Sequence, residues 1–521
     1  MGIVIKQSVN NSIFFYVGMT FGAISTVIGY PYAFESNEEH FGLLQIIISY
    51  SILISTFSYL GVPKTLIRFF PKIESKNELI TLAFLAPVIG LLFLSLWFIS
   101  FNESILEFIK PLESQFSNYK DFLVEMKTHL LLQENIYLIF ILISSLTFFE
   151  VLSSLSRCLL KSSTPIFLKE LLRKGTTVFL LFLHWYIPDI IDFPTFLVLY
   201  VSQYIFMTIF LFIKIFNDSE FKMSFNFKIL PLNKLLTTGF IFFLGSSLAV
   251  NITKFDMVAI QKFIGFKQVA IYTIAFFIGN VIMIPGRAVG AIASPLISKA
   301  CERHDIKEIS EIYRKSSLNQ LLIGGLMFLI IWINIEDFFN FLPDVYRSGQ
   351  LVVLFIAISQ LFNISAGVNG IIITNSRYFW FDLLSTIILV IITILTNLSF
   401  IPESSPLLEY GIYGINGAAF ATALSILLYN FIKMVFLYFT MHIQPFTKKS
   451  ITALLLLFSS YCIVDMLPVM DNVNMSLNIS IYNCFIRTLS LLLIFVPILL
   501  FLEISIEIKS TLLSLKKKIL K

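Results

Sequence analysis

Long apolar stretches, separated by short polar ones, follow each other from residue 10 to residue 503 of this chain. A hydrocarbon core about 30 Å thick is crossed by roughly 20 apolar residues in a helix. Backbone groups find no water in that core, so continuous helices are expected. The pattern predicts an all-α polytopic membrane protein with about fourteen transmembrane helices, at residues 10–34, 41–62, 79–100, 131–156, 165–187, 194–216, 235–255, 268–292, 315–335, 349–373, 378–399, 413–440, 448–468 and 482–503.

The distribution of basic residues between alternate loops predicts the orientation of these helices. Lys and Arg accumulate in short cytoplasmic loops. With a cytoplasmic N-terminus, the inside segments contain 28 of the 37 Lys and Arg residues, and this count includes Lys169, Arg173, Lys174 and Lys433. The outside loops are more acidic, and the longest, 101–130, is too short to fold as a separate domain. Both ends of the chain are therefore predicted to be cytoplasmic.

Two short sequence matches indicate an internal repeat. Residues 13–15 (IFF) recur as residues 241–243, and residues 42–46 (GLLQI) correspond to residues 270–274 (AIYTI). Both matches have an offset of 228 residues, which superimposes predicted helices 1–6 on helices 7–12. Both copies begin on the cytoplasmic side, so the repeats are predicted to be parallel.

The repeat divides the chain into four predicted parts. An N-terminal six-helix bundle takes residues 1–216, and a cytoplasmic linker takes residues 217–234. A second six-helix bundle takes residues 235–445, and helices 13 and 14 with a basic tail take residues 446–521. Two such bundles that rock against each other give alternating access, so this organisation is typical of a transporter.

Composition excludes several classes of function. Hydrophobic residues make up 57% of the chain and charged residues 13%, against about 25% charged residues in a soluble domain. The chain has no basic tract with interleaved aromatic residues, so we expect no nucleic acid partner. It has no ATP-binding or hydrolase motif and no Cys or His at metal-ligand spacing. We therefore expect no enzyme, cofactor or metal, and transport driven by an ion gradient or by the substrate's own gradient.

Three segments resemble one family of membrane transporters. Residues 61–71 (GVPKTLIRFFP) are similar to the cytoplasmic end of that family's second helix. Residues 256–275 are similar to its helix 7–8 junction, and residues 411–422 (GIYGINGAAFAT) to its small-residue helix 12. The family comprises the polysaccharide-biosynthesis flippases of the O-antigen type, in the multidrug/oligosaccharidyl-lipid/polysaccharide exporter superfamily. Relatives often carry Arg directly after the helix-7 Asp, where this chain has Met257.

The resemblance implies a substrate and a location. The substrate would be a sugar chain on an undecaprenyl-pyrophosphate carrier, moved from the cytoplasmic to the periplasmic leaflet of a bacterial inner membrane. The expected partners are this lipid-linked oligosaccharide, membrane lipids and the polysaccharide polymerase machinery. The helix count and the repeat require no second chain, so we expect a monomer.

Basic residues inside the predicted helices are candidates for binding the substrate. A charge at the bilayer centre costs about 3 kcal/mol or more, so such residues are rarely incidental. Arg287 follows Pro285 and Gly286, which loosen predicted helix 8, and a guanidinium binds phosphate oxygens bidentately. Further candidates for contact with the carrier diphosphate are Arg68, at the predicted inner surface after helix 2, and Lys254, near the end of helix 7. For all three the alternative is an interfacial side chain that reaches the lipid headgroups.

Three acidic residues are candidates for ion coupling. Glu150 lies late in predicted helix 4, where a buried carboxyl group suits a proton carrier; hydrogen bonding to nearby serines is the alternative. Asp256 closes helix 7, either as a cation or proton acceptor or as an interfacial residue beside Lys254. Asp382 near the start of helix 11 also fits a helix cap. Arg487 in helix 14 is expected to pair with an acidic neighbour or to reach the interface.

Two other functions stay open. A cation-coupled drug or small-molecule exporter has the same fold, but such exporters tend to have twelve helices, which disfavours them for a chain with fourteen. A membrane enzyme such as a polysaccharide polymerase or ligase carries a large periplasmic loop with catalytic basic residues. The sequence has no such loop.

Overall fold

The computed structural model of the chain describes residues 2–101, 119–159, 161–217, 221–467 and 477–510. Over these ranges the chain is helical, with turns and short irregular segments but no strand. The residues divide into two compact units, Met1–Thr273 and Ile274–Lys521. The boundary between these units differs from the boundary between the predicted bundles 1–216 and 235–445, and the bundles remain a prediction.

The first unit contains eleven α-helices in its described part, and a twelfth begins there. Two π-helical turns, Ile24–Gly29 and Phe167–Leu172, join α1 to α2 and α8 to α9 into longer helices. The helices are α1 (Gly2–Ala23), α2 (Tyr30–Ala33), α3 (Glu38–Ser58), α4 (Val62–Phe69), α5 (Lys76–Ser100), α6 (Tyr119–Glu134), α7 (Ile136–Cys158), α8 (Ser163–Ile166), α9 (Arg173–Tyr186), α10 (Phe193–Asn217), α11 (Leu232–Ile264) and α12 (Phe266–Asn280).

The second unit continues from α12 through a 3-10 turn at Val281–Met283. This turn lies directly before Pro285, so helix 8 is interrupted where the sequence predicted a loosened helix. The remaining helices of the described part are α13 (Ile284–Glu302), α14 (Ile306–Ile333), α15 (Ile335–Phe339), α16 (Gln350–Ser365), α17 (Asn369–Asn375), α18 (Trp380–Phe400), α19 (Gly414–Met441), α20 (Lys448–Asp465) and α21 (Leu477–Phe501).

Every predicted membrane helix contains a helix in the structure, so the prediction of an all-α membrane protein is confirmed. Eleven helical segments of the described residues are long and apolar enough to cross a membrane. The predicted helices at 165–187, 235–255 and 448–468 are also helical, but they are not among those eleven. The number of fourteen crossings stays a prediction.

The helix boundaries support the internal repeat. Helix α3 begins at Glu38 and helix α12 begins at Phe266, which is 228 residues later. This is the offset found from the two short sequence matches. The second helix of each repeat therefore starts at the same relative position.

Helix α3 lies at the centre of the first unit, packed against α7 and α11. Its buried hydroxyls at Ser49 and Ser51 donate to backbone carbonyls of their own helix at 2.6 and 2.7 Å. A Cβ atom on Gly42 would lie 1.9 Å from the Phe266 carbonyl oxygen, so α3 and the start of α12 are as close as backbones allow. In the second unit, a Cβ atom on Gly417 of α19 would lie 1.8 Å from the Phe400 carbonyl oxygen, so these two backbones are also in close contact.

One detail of the sequence prediction is wrong. The segment 101–130 was expected as a loop, but α6 begins within it at Tyr119. Arg173 and Lys433, which were counted with the cytoplasmic segments, lie on helices α9 and α19, within the predicted helices 165–187 and 413–440. The Lys433 side chain is only 3% exposed. A count of charges by position along the sequence cannot tell a loop residue from one at the inner face of a helix.

Candidate functional site: charges on the membrane helices

A group of charged residues lies on the C-terminal half of α7, on the π-helical turn Phe167–Leu172 and at the start of α9. We call it the α9 cluster, and it consists of Glu150, Arg157, Lys169, Glu170, Arg173 and Lys174. The Lys174 ammonium lies 2.7 Å from Glu170, and the Lys169 ammonium lies 2.7 Å from Glu150. Four basic and two acidic side chains leave the cluster with a formal excess of two positive charges.

Arg173 differs from its neighbours because its hydrogen bond goes to a phenol. One guanidinium nitrogen donates to the Tyr204 hydroxyl at 3.2 Å, and the guanidinium carbon lies 5.5 Å from the centre of the same ring. The Tyr200 hydroxyl lies 3.4 Å from that of Tyr204. Phenols and ring faces orient a guanidinium without neutralising it, so Arg173 keeps its positive charge available to an anion.

Glu150, the first candidate for ion coupling, is paired with two cations. Its carboxylate lies 2.7 Å from the Lys169 ammonium and 4.0 Å from the Arg157 guanidinium. The side chain is 30% exposed, and Ser154 donates to its backbone carbonyl rather than to its carboxylate. The structure therefore places Glu150 as the acidic partner of the α9 cluster.

The two candidates on α11 have separate environments, as residues two positions apart on a helix should. Asp256 is fully buried and accepts a hydrogen bond from the Tyr272 hydroxyl at 2.9 Å. The Lys254 ammonium lies 3.7 Å from the Met257 sulfur. The Met257 sulfur also lies 3.2 Å from the Ser49 hydroxyl oxygen, so the position where relatives often carry Arg packs against α3 here.

In the second unit Asp382 pairs with a buried cation. The Lys433 ammonium lies 2.7 Å from the Asp382 carboxylate and also donates to the Tyr429 hydroxyl. Lys433 is almost fully buried, whereas the Asp382 side chain is 35% exposed. The pair removes the cost of a lone ammonium between helices α18 and α19.

A row of amides begins one turn from this pair. The Asn369 amide donates to Asn430 at 3.1 Å, Asn430 donates to Asn363 at 3.0 Å, and Asn363 donates to Gln360 at 3.1 Å. The row links α17, α19 and α16 through the interior of the second unit. Buried amides that satisfy one another in this way fix the register of the helices they join.

The two predicted arginine candidates are both exposed. Arg287 lies in the first turn of α13, and no ion pair or hydrogen bond is recorded for it among the described residues. A Cβ atom on Gly286 would lie 2.7 Å from the Ile364 side chain, so close packing of α13 against α16 fixes the direction of the next side chain. Arg68 lies at the end of α4, with its guanidinium 5.8 Å from the Phe242 ring centre.

Arg487 has the acidic partner that was expected. It donates to Asp337 at 3.0 Å and to the Ile333 carbonyl at 3.1 Å. Both partners lie where α14 ends and α15 follows. This pair joins the last described helix to the rest of the second unit, so we assign Arg487 to structure rather than to transport.

A buried carboxylate on the predicted external side was missed. The Glu125 carboxylate of α6 accepts the backbone N–H groups of Phe266 at 2.7 Å and Lys267 at 3.3 Å, and so caps α12. We call this arrangement the Glu125 cap. Gly265 beside it has φ +97°, and a Cβ atom there would lie 2.5 Å from the carboxyl group. Burial raises the pKa of Glu125 from 4.5 to about 7, against the lowering effect of the two N–H groups.

The structure thus pairs Glu150 with Lys169 and Asp382 with Lys433, and it places Arg173 beside Tyr204. It leaves Arg287, Arg68 and Lys254 apart from these groups. Arg173 was missed because it was counted with a basic loop, although it lies within the predicted helix 165–187. The opposite charges of Glu170 and Lys174, four positions apart and next to Arg173, were the available signal.

Comparison with known proteins relates the chain to transporters. The sequence profile of the family described as "Polysaccharide biosynthesis protein" matches residues 9–301, which is more than half of the chain. No curated protein matches the chain by sequence.

Several solved structures are similar in fold. The lipid II flippase MurJ in an inward closed conformation has a TM-score of 0.66 and 14% identity, over 94% of this chain and 98% of its own. A multidrug resistance MATE family transporter of the MOP superfamily, inward-facing, has a TM-score of 0.61 and 12% identity, over 83% and 98%. A MOP superfamily transporter from Pyrococcus furiosus has a TM-score of 0.50 and 12% identity, over 84% and 96%. These neighbours are a flippase and transporters, and at this level of identity the likeness shows that the chain shares their fold.

Proposed function

Because this chain belongs to the polysaccharide biosynthesis protein family, we propose that it is a flippase for a lipid-linked oligosaccharide. The sugar chain is carried on undecaprenyl pyrophosphate and moves from the cytoplasmic to the periplasmic leaflet of the bacterial inner membrane. The product serves the synthesis of a surface polysaccharide of the O-antigen type. The protein works as a monomer with both ends in the cytoplasm, and it delivers its product to the polymerase machinery.

The observation that carries this proposal is the positive excess of the α9 cluster. Arg173 donates to a phenol and forms no direct ion pair with a carboxylate among the described residues, so its guanidinium can still pair with an anion. A diphosphate is the polar part of the carrier that must be held away from the hydrocarbon, and guanidinium groups bind it in a bidentate way. A chain that exports organic cations would be expected to present negative charge instead.

Further contacts to the diphosphate come from the three basic candidates of the sequence. Arg287 is exposed and has no hydrogen bond or ion pair with any residue of the described ranges, so its guanidinium is available to bind phosphate oxygens. Arg68 meets the headgroup at the predicted cytoplasmic surface, and Lys254 meets it further along the passage. Transport follows an alternating-access cycle, with bundles 1–216 and 235–445 as its two repeats.

Ion coupling is assigned to Glu150, Asp256 and Asp382. Each carboxylate has a partner that can be exchanged: Lys169 for Glu150, the Tyr272 hydroxyl for Asp256, and Lys433 for Asp382. Binding of a proton or cation at one of these carboxylates would release its partner. Such an exchange gives the ion a different affinity for the two states of the transporter, which coupling requires.

The direct test is a flipping assay with purified protein in vesicles that contain a fluorescent undecaprenyl-pyrophosphate-linked oligosaccharide. We expect the fraction of label accessible from the outside to increase with the protein, and Arg173→Gln to slow this at least tenfold. Lys307→Gln, which removes one exposed charge on α14, should transport at the wild-type rate. In cells, deletion of the gene should leave loaded carrier on the inner leaflet. Wild-type transport by Arg173→Gln would contradict the role of the cluster.

A cation-coupled exporter of small molecules is the second candidate, since the MATE transporter shares the fold. The same vesicles separate the two functions. Transport of organic cations driven by a proton or sodium gradient, without movement of the lipid-linked sugar, would favour the exporter.

A further inference from the structure

An apolar cavity of about 340 Å³ lies beside α4 in the first unit. We call it the α4 cavity. Helix α4 forms one wall with Val62 and Leu66, α5 another with Leu82 and Ala86, and α11 the third with residues that include Phe243. Thr65 is the polar side chain in its lining, and the Thr65 hydroxyl donates a hydrogen bond to the Gly61 carbonyl at 3.0 Å. The lining of the cavity is therefore almost entirely apolar, which suits an apolar ligand.

The shape of the cavity is fixed by a sharp change of direction in the chain. Leu60 and Gly61 both have positive φ, 48° and 73°, so the helix of α3 stops and α4 starts in a new direction. A Cβ atom on Gly61 would lie 2.2 Å from the Gly239 carbonyl oxygen, so α4 touches the backbone of α11 there. Beyond this contact the helices diverge and leave the cavity between them.

Basic side chains surround the cavity. Lys64 and Arg68 are exposed on α4, and Lys234 is exposed directly before Leu235, which lines the cavity. None of the three forms an ion pair with any residue that the structure describes. The positive-inside distribution places all three at the cytoplasmic surface. A cavity between helices with a basic rim on this side is typical of a site for an anionic lipid headgroup.

We infer that the α4 cavity is the entry site for the lipid carrier, with the first part of its isoprenoid chain in the cavity and its diphosphate on Arg68 and Lys64. The inference rests on the proposed function and names a place that this function must have, where substrate leaves the inner leaflet. Three unpaired cations match a diphosphate, which carries more than one negative charge. A phospholipid with a single phosphate would leave part of that charge uncompensated.

The test uses a benzophenone-tagged polyprenyl diphosphate as the probe, with the full-length protein in phosphatidylcholine nanodiscs. We expect label on the peptide that contains residues 79–86. Ala86→Phe fills the cavity and should lower this labelling at least fivefold. The matched control Val88→Phe adds the same ring at an exposed position of α5 outside the cavity, and should label as the wild type does.

The headgroup is tested separately by competition. Unlabelled polyprenyl diphosphate should displace the probe from the wild type, and Arg68→Gln should weaken this competition about tenfold, while Arg68→Lys keeps most of it. Arg68→Gln is a surface change that leaves the packing of the helices intact. Displacement by cardiolipin at an equal or lower concentration would overturn the inference in favour of a membrane phospholipid.

Failure of the entry site and failure of the proposed function give different results. If the label lies elsewhere on the chain and Ala86→Phe transports the lipid-linked sugar normally, the entry site is wrong and the flippase stands. If no part of the chain is labelled and vesicles show no flipping, the proposed function itself is wrong.

Discussion

The Glu125 cap predicts how the protein responds to acid. Its carboxylate, 5% exposed, has a pKa raised from 4.5 to about 7, so the capped state binds the proton more tightly than an open state with the carboxylate in water. The cap therefore gains stability as pH falls through 7, and loses it as pH rises. From pH 8 to pH 5 these two pKa values increase the free energy of opening the cap by about 2.5 kcal/mol, which lowers the opening equilibrium constant roughly 70-fold. Nearby charges act in both directions, since Glu39 raises the pKa of Glu125 and Lys267 lowers it.

Hydrogen exchange measures this opening at the backbone amides of Phe266 and Lys267, which donate hydrogen bonds to Glu125. In nanodiscs, protection of the peptide that contains Phe266 and Lys267, corrected for the intrinsic exchange rate, should rise about 70-fold from pH 8 to pH 5. Glu125→Gln should abolish the pH dependence, because an amide does not titrate. The control Glu134→Gln changes an exposed carboxylate at the end of the same helix and should keep the wild-type slope. If protection depended on pH equally in the wild type and in Glu125→Gln, Glu125 would not be the group that titrates.

Three further outcomes concern the second unit, and thermal midpoints in nanodiscs check each of them. Asp382→Asn leaves the Lys433 ammonium buried without a carboxylate and should lower the free energy of unfolding by about 3 kcal/mol. Lys433→Met should lower it less, because the Asp382 carboxylate left behind is in contact with water. The double variant should recover most of this loss, and additive losses would argue against the pair. Gly417→Leu should destabilise strongly or prevent folding, because even a Cβ atom would lie 1.8 Å from a carbonyl oxygen; wild-type stability would contradict that packing. Arg487→Met should cost about 3 kcal/mol by leaving Asp337 buried without its cation, and an unchanged midpoint would show that the pair contributes nothing.

The helical architecture could be predicted because each crossing leaves a long apolar stretch in the sequence. The repeat offset was also accessible, since the starts of α3 and α12 differ by the same 228 residues as the sequence matches. The partners of the charges were not accessible. Lys433 and Asp382 are 51 positions apart, and only the packing of α18 on α19 brings them together. Glu125 was hidden for the same reason, because its partners are backbone N–H groups 141 and 142 residues away.

Two glycines enclose the start of α12, and this limits how the region can evolve. Gly42 faces the Phe266 carbonyl from α3, and Gly265 faces the Glu125 carboxyl group from the turn before α12. A methyl group at 42 would need the backbone to move, and one at 265 would displace the Glu125 carboxyl group and strain a residue with φ +97°. Among natural variants, changes at 42 and 265 should be scarce, whereas exposed apolar positions such as Phe93 on α5 can vary freely. A library that mutates every position should show this contrast directly.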